Sequence, residues 1–147
     1  MKKILFYRMN DPYGVFSNFD TKHPITLRDR VWPTTEHYFQ AMKFLGTKDE
    51  HDVWRASNPR SAAEMGRDRT RPLRKDWEKV KDDVMRDAVR AKFNQYPELG
   101  KILTETGDAE LIEHTKNDSY WADGGDGKGK NMLGKILMEI RSELTSK

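Results

Sequence analysis

The chain has 147 residues, 27 Lys and Arg against 24 Asp and Glu, and no cysteine. That length suits one domain, residues 1–147, with a real core, and 35% charged residues make a well-solvated surface. A net charge of +3 on that ionic background does not by itself argue for nucleic acid, and the missing cysteines exclude disulfides, a thiol nucleophile and thiolate metal or iron–sulfur sites.

MKKILFYR opens with two lysines, but its apolar run stops at Arg8. That is too short for a signal sequence, so Lys3–Arg8 reads as a first strand. No apolar stretch approaches membrane-spanning length, so no membrane partner is expected and the expected location is the cytoplasm. DPYG, Asp11–Gly14, is a turn. GVFSNF, Gly14–Phe19, sets Ser17 and Asn18 between Phe16 and Phe19. Such polar groups either bond the backbone in a turn or fix a ligand's polar edge, and the sequence leaves both open. Pro24–Trp32 alternates Ile25, Leu27 and Val31 with polar residues imperfectly and reads as a second strand.

WPTTEHYFQAMKFLG, Trp32–Gly46, reads as a helix with Thr34 as N-cap and Gly46 as its stop. Spaced about 100° apart, Tyr38, Ala41, Met42 and Leu45 fill one side, with Phe39 and Phe44 on its flanks. Glu36, Gln40 and Lys43 share one thin strip, the reverse of an ordinary surface helix. Two readings fit. The strip is a solvated edge of a buried helix, or it lines a cleft in which an acid and an amine face a ligand.

Asp49–Ala56 and Pro59–Met65 form two short helices separated by the Asn58-Pro59 breaker. GRDRTRPLRKDW, Gly66–Trp77, gathers Arg67, Arg69, Arg71, Arg74 and Lys75 beside a tryptophan. Guanidinium forks suit phosphate oxygens and an indole suits a flat base, although a solvated basic loop or a nucleic-acid footprint reads the same way. Asp76–Tyr96 is the longest helix, with Val80, Val84, Ala88 and Ala91 at helical spacing. Pro97 starts another, carrying Leu99, Ile102 and Leu103. Glu110–Thr115 is a strand or a helix end. A last helix follows Asn131, with Leu133, Ile136, Leu137 and Ile140 inward. This order gives an α+β class, mostly helical, with a small β-sheet.

NDSYWADGGDGKGKNMLG, Asn117–Gly134, is the most conspicuous loop. Its glycines, Gly124 among them, allow close backbone approach, and the helix start behind it offers N–H groups to an anion. Tyr120 and Trp121 beside Asp118 and Asp123 favour a site over a plain linker. Gly124, Gly129 and Lys130 fit G-x-x-x-x-G-K, but Asn131 stands where a magnesium-binding hydroxyl is needed. A calcium loop fails too, since Gly125 and Gly127 occupy the alternate positions after Asp123. His23, His37, His51 and His114 lack zinc spacing, so no metal is expected. Together these features suggest a phosphorylated, nucleoside-like ligand.

FSNF, WPTTEHYFQAMKF, MGRDRTRPLRKDW and NDSYWADGGDGKGKNMLG, in this order, resemble the NADAR family. The resemblance runs from about Phe6 to about Leu144. It implies a mostly helical α+β domain and hydrolysis of N-glycosidic bonds to ribose without a cofactor. The substrates it implies are ribosylaminopyrimidine phosphates, early intermediates of riboflavin synthesis. Other branches of the family imply an alternative, removal of ADP-ribose from guanine in nucleic acid; a nucleotide or ADP-ribose sensor without turnover is a further reading of the same residues. The family's T-x-E-H acid falls on Glu36, its later lysine on Lys43, its tryptophan on Trp77 and its loop acids on Asp118 and Asp123. Ala122 departs from the pattern where glycine is expected, which is costly if that position needs a positive φ.

On this resemblance Glu36, Lys43 and Asp118 are the catalytic candidates. Cleaving a ribosylamine builds positive charge on the sugar, which a Glu36 carboxylate stabilises while activating water. Lys43 binds phosphate or forms a Schiff base with an opened ribose. Asp118 orients a sugar hydroxyl or protonates the leaving group. Trp77 stacks on the base, Arg67, Arg69 and Arg71 meet the phosphate, and Ser17, Asn18, Gln40, Trp121, Asp123 and Gly124 complete the binding set. The small phosphorylated ribosylamine is the expected partner, with ADP-ribosylated nucleic acid as the alternative; the oligomeric state is left open.

Overall fold

A computed structural model describes residues 2–147. The elements run β1 (Lys3–Phe6), β2 (Ile25–Leu27), β3 (Arg30–Trp32), α1 (Thr35–Ala41), α2 (Lys48–Trp54), α3 (Pro59–Arg67), α4 (Trp77–Gln95), α5 (Pro97–Glu105), β4 (Glu110–Glu113) and α6 (Met132–Thr145). The class is α+β and mostly helical. Its strands form two separate two-stranded sheets, β1–β4 and β2–β3. Two compact units result, one of Asn18–Lys92 and one of the residues up to Ser17 with Phe93–Lys147.

In Asn18–Lys92, the expected strand Pro24–Trp32 is a hairpin. Arg28 and Asp29 turn the chain at φ 55° and 60°, the two left-handed positions of a type I′ turn, without any glycine to announce it. Trp32 ends β3, as the strand reading of Pro24–Trp32 has it. Its Nε1 donates to the Leu27 carbonyl at 2.9 Å, and its ring meets Tyr38 edge-on at 5.2 Å. Thr34 caps α1 as expected, its hydroxyl accepting from the His37 N–H at 3.0 Å. Helix α1 ends earlier than the sequence suggests, at Ala41, and a 3-10 turn carries Met42–Phe44. All seven residues of α1 are buried, and α1 packs against α2 and α3.

Helix α4 buries Val84, Met85, Ala88 and Val89, while Val80 and Ala91 sit half-buried at the edges of that stripe. Lys92 continues the stripe inward. Its ammonium lies 3.1 Å from Asp20, which also takes a 2.6 Å hydrogen bond from His23 Nδ1. Burial lowers the Lys92 amine to about 8 even with that carboxylate beside it. Asp20 stays below the usual carboxylate range, because Lys92 and the hydrogen bonds outweigh the opposing effect of burial.

In the other unit, β1 and β4 pair in parallel, with Lys3 opposite Glu110 and Phe6 opposite Glu113. Ile4 and Phe6 point inward while Lys3 and Leu5 are exposed, the alternation of a strand with one covered face. This resolves Glu110–Thr115 as a strand through Glu113. Helix α6 lays Leu133, Ile136, Leu137 and Ile140 against β4 and α5 at helical spacing. Phe16 joins this core, edge-on to Phe6 at 5.6 Å and tilted on Phe93 at 5.9 Å. Among the described residues, no helix is long and apolar enough to cross a membrane.

Candidate active site

The polar strip of α1 is not solvated. Glu36 is 8% exposed and Gln40 6%, which rules out the solvated-edge reading. Gln40 Nε2 donates to Glu36 Oε2 at 2.7 Å, fixing the amide's orientation and holding the acid as an acceptor. The Gln40 Oε1 on the other side is buried, with no donor among the described residues. Above the acid, the Glu36 N–H reaches the Asn18 carbonyl at 3.3 Å.

Lys43 sits in the 3-10 turn, not on α1 itself, yet it faces the same region. Its Nζ lies 5.7 Å from the centre of the Phe39 ring and 5.9 Å from that of Trp77, and it donates to the Gly66 carbonyl at 3.3 Å. Burial pushes its amine down to about 8, and Arg69, Arg67 and Lys81 add to this while Glu36 opposes it. An amine in that range is available both as a cation and, in part, as a free base near neutral pH.

The arginines separate by role. Arg67 and Arg69 are exposed, and neither forms a salt bridge to a carboxylate among the described residues. Arg69 also donates to the Gly66 and Arg67 carbonyls. Arg71 is engaged elsewhere, 2.6 Å from Asp49, 3.4 Å from Asp52 and 3.6 Å from Asp68. Three carboxylates around one guanidinium make it a clamp for its loop. Trp77 is 4% exposed and meets Phe39 edge-on at 5.1 Å, so it forms a wall beneath Lys43 and offers little open face to a base.

Asn18 uses its side chain internally. Its Oδ1 accepts from the Thr35 hydroxyl at 2.8 Å, and its Nδ2 donates to Met85 Sδ at 3.4 Å. These two bonds run to side chains on α1 and α4, not to the backbone of the turn. Ser17, described with the other unit, is 3% exposed, and its N–H closes a 3-10 turn on the Gly14 carbonyl at 3.0 Å.

His37, beside Glu36, carries a function that its lack of metal spacing did not suggest. Its Nε2 lies 3.0 Å from the Ala56 carbonyl, which can only accept, so Nδ1 accepts from the Thr34 hydroxyl at 2.8 Å. Burial lowers its pKa despite the Ala56 bond, leaving a neutral ring that ties the start of α1 to the chain after α2.

The glycine-rich loop belongs to the other unit and is knotted on itself. The N–H groups of Asn131, Met132 and Leu133 donate to Ala122, Tyr120 and Trp121 at 3.0 Å each. The start of α6 is therefore not free to hold an anion, which corrects that expectation. Gly124, at φ 75°, donates to the Asp118 carbonyl at 2.9 Å, and Gly129 to the Asp123 carbonyl at 2.8 Å. Asp118 Oδ1 accepts from the Tyr120 and Trp121 N–H groups at 2.8 Å, and the two rings meet edge-on at 4.9 Å. Ala122 is fully buried and not among the positive-φ residues, so alanine costs nothing there.

Asp123 is the knot's centre, accepting from His114 Nδ1 at 2.7 Å, Thr115 N–H at 3.1 Å and Gly125 N–H at 2.8 Å. Burial alone would raise its pKa, but the His114, Gly125 and Thr115 bonds hold it below the usual carboxylate range. Asp123→Ala is expected to cost about 2–3 kcal/mol in urea unfolding at neutral pH. Because the folded carboxyl is the stronger acid, its contribution is present above the unfolded value of 3.8 and is lost as pH falls through the folded one. The wild-type advantage over Asp123→Ala should shrink as the pH falls into strong acid.

The match to known proteins follows the same lines. A family model described as the NADAR domain matches residues 5–145. The chain is 57% identical over 141 residues to N-glycosidase YbiA of Escherichia coli (strain K12), covering 96% of this chain and 88% of that one. It is 42% identical over 143 residues to a riboflavin biosynthesis protein of Vibrio vulnificus (strain YJ016), covering 96% of this chain and 38% of that one. The NMR structure of the E. coli protein YbiA matches with a TM-score of 0.91 at 55% identity, over 99% of this chain and 86% of that one. With agreement in sequence and in fold along nearly all its length, the chain belongs to the NADAR family.

Proposed function

We propose that this protein is an N-glycosidase that hydrolyses the bond between ribose phosphate and an aminopyrimidine in early intermediates of riboflavin synthesis, residues 1–147 acting as one NADAR domain. One observation carries the reading: a buried Glu36, held by Gln40, lies in the electrostatic field of a desolvated Lys43. It is supported by relatives named N-glycosidase and riboflavin biosynthesis protein.

Glu36, Gln40, Lys43, Arg67 and Arg69 all lie within the unit of residues 18–92. Breaking the C–N bond moves positive charge onto the ribose ring, and a carboxylate in a low-dielectric setting stabilises that charge and orients water to the anomeric carbon. Lys43, as a cation, neutralises substrate phosphate beside the exposed forks of Arg67 and Arg69. The Phe39 and Trp77 rings keep bulk water from the amine.

The test is to incubate the protein separately with a ribosylaminopyrimidine phosphate and with an oligonucleotide carrying ADP-ribosylated guanine, detecting freed base and sugar by mass spectrometry. Equal amounts of aminopyrimidine and ribose phosphate from the first substrate are expected. Cleavage of only the second would replace this reading with a nucleic-acid one, and binding without cleavage of either would make the protein a sensor.

A further inference from the structure

Gly66 lies in the last turn of α3, and its φ is not positive, so its backbone would accept any residue. What forbids a side chain is Gln40. A Cβ on Gly66 would stand 1.8 Å from Gln40 Oε1, 2.6 Å from its Cδ and 3.1 Å from its Cβ. Gln40 has little room to yield, since its Nε2 is fixed on Glu36 and its residue is buried. That fixed amide leaves Oε1 over the bare Cα, with no donor to it among the described residues.

The carbonyl of the same residue takes two cations, Lys43 Nζ at 3.3 Å and the Arg69 guanidinium. As a last-turn carbonyl it has no partner further along the helix, and the negative end of α3 favours positive charge. We propose that Gly66 is a positioning residue: its missing side chain seats Gln40 against Glu36, and its carbonyl holds the Lys43 ammonium beside Arg69. The inference rests on the reading above, in which Lys43 serves the reaction. The charged groups around Lys43 are Arg69, Glu36, Arg67 and Lys81, one acid against three cations, and burial acts in the same direction as those cations. The Gly66 carbonyl by itself favours the ammonium; burial, with the three cations, is what lowers the amine in the place where that carbonyl holds it.

The experiment follows the Lys43 side chain by carbon-detected NMR through a pH titration, assigned with Lys43→Arg, in the whole chain. In wild type its midpoint is expected at about 8. In Gly66→Ala, the added methyl group shifts Gln40 and the last turn of α3. The midpoint should move towards the ordinary lysine value, with kcat/KM falling about tenfold or more. In Gly66→Ala/Gln40→Ala the clash is gone, so the midpoint should return towards the wild-type value while kcat/KM stays low, because Glu36 has lost its amide. If Gly66→Ala alone fails to fold, a folded double variant with the wild-type midpoint gives the same support. A wild-type midpoint in Gly66→Ala, or no recovery in the double variant, overturns the inference. Full activity in Lys43→Met would instead overturn the catalytic reading beneath it, without altering the titrations.

Discussion

Glu36→Gln is expected to fold as wild type does and to lose about 10^2–10^4 in kcat/KM for the ribosylamine substrate. The side chain keeps its size, and its amide oxygen can still accept from Gln40 Nε2, the bond that measures 2.7 Å in wild type. What disappears is the negative charge facing the anomeric carbon. A loss confined to kcat marks an interaction made in the transition state, whereas a rise in KM alone would mark ordinary binding. Thermal unfolding within about 1 kcal/mol of wild type would show that the loss is chemical.

Lys43→Met carries the second large effect, in opposite directions for activity and stability. Activity should fall by about 10^2 or more, as for a preorganised charge removed from the site. Stability at pH 7 should be unchanged or higher, because the buried ammonium is a strain on the folded state. The sign follows from linkage. The folded amine titrates at about 8 against an ordinary 10.5, so between those values the unfolded chain binds more protons there and stability rises with pH. Below about 8 the cost is fully present; above 10.5 it is gone. The advantage of Lys43→Met over wild type in chemical unfolding should therefore shrink between pH 8 and 10.5. The rate profile separates the two roles of the amine. A cation needed for phosphate gives activity falling as pH rises through about 8, the expected result; a nucleophilic free amine gives activity rising there.

Helix α1 shows why part of this was legible in the sequence. Its cap, its burial and the shared face of Glu36 and Gln40 follow from local spacing, and the structure keeps all three. An α-helical period puts Lys43 on the face of Glu36 and Gln40, although the helix gives way to a 3-10 turn before it. The hairpin turn at Arg28-Asp29 is hard to read from the sequence because it has no glycine and arginine at its first left-handed position gives no signal, although aspartate is a common residue at such positions. Long-range pairings escaped for a different reason. Nothing near Lys92 announces that Asp20 will meet it, and nothing near Gly66 announces Gln40. The glycine-rich loop looked like an anion cradle because its composition permits one. Its N–H groups are instead taken by its own carbonyls and by Asp118, Asp123 and Asp126, a fact of geometry that composition does not encode.

The most direct test of the central claim, that a buried carboxylate helps to break a ribose C–N bond through a cationic sugar, is the isotope effect at the reacting carbon. Wild-type turnover would be compared for ribosylaminopyrimidine phosphate bearing hydrogen or deuterium on the anomeric carbon, under conditions where chemistry limits the rate. A normal secondary effect is predicted, because that carbon flattens as positive charge develops on the ring. A ratio at or below unity would contradict the account, since the anomeric carbon would then not flatten in the slow step.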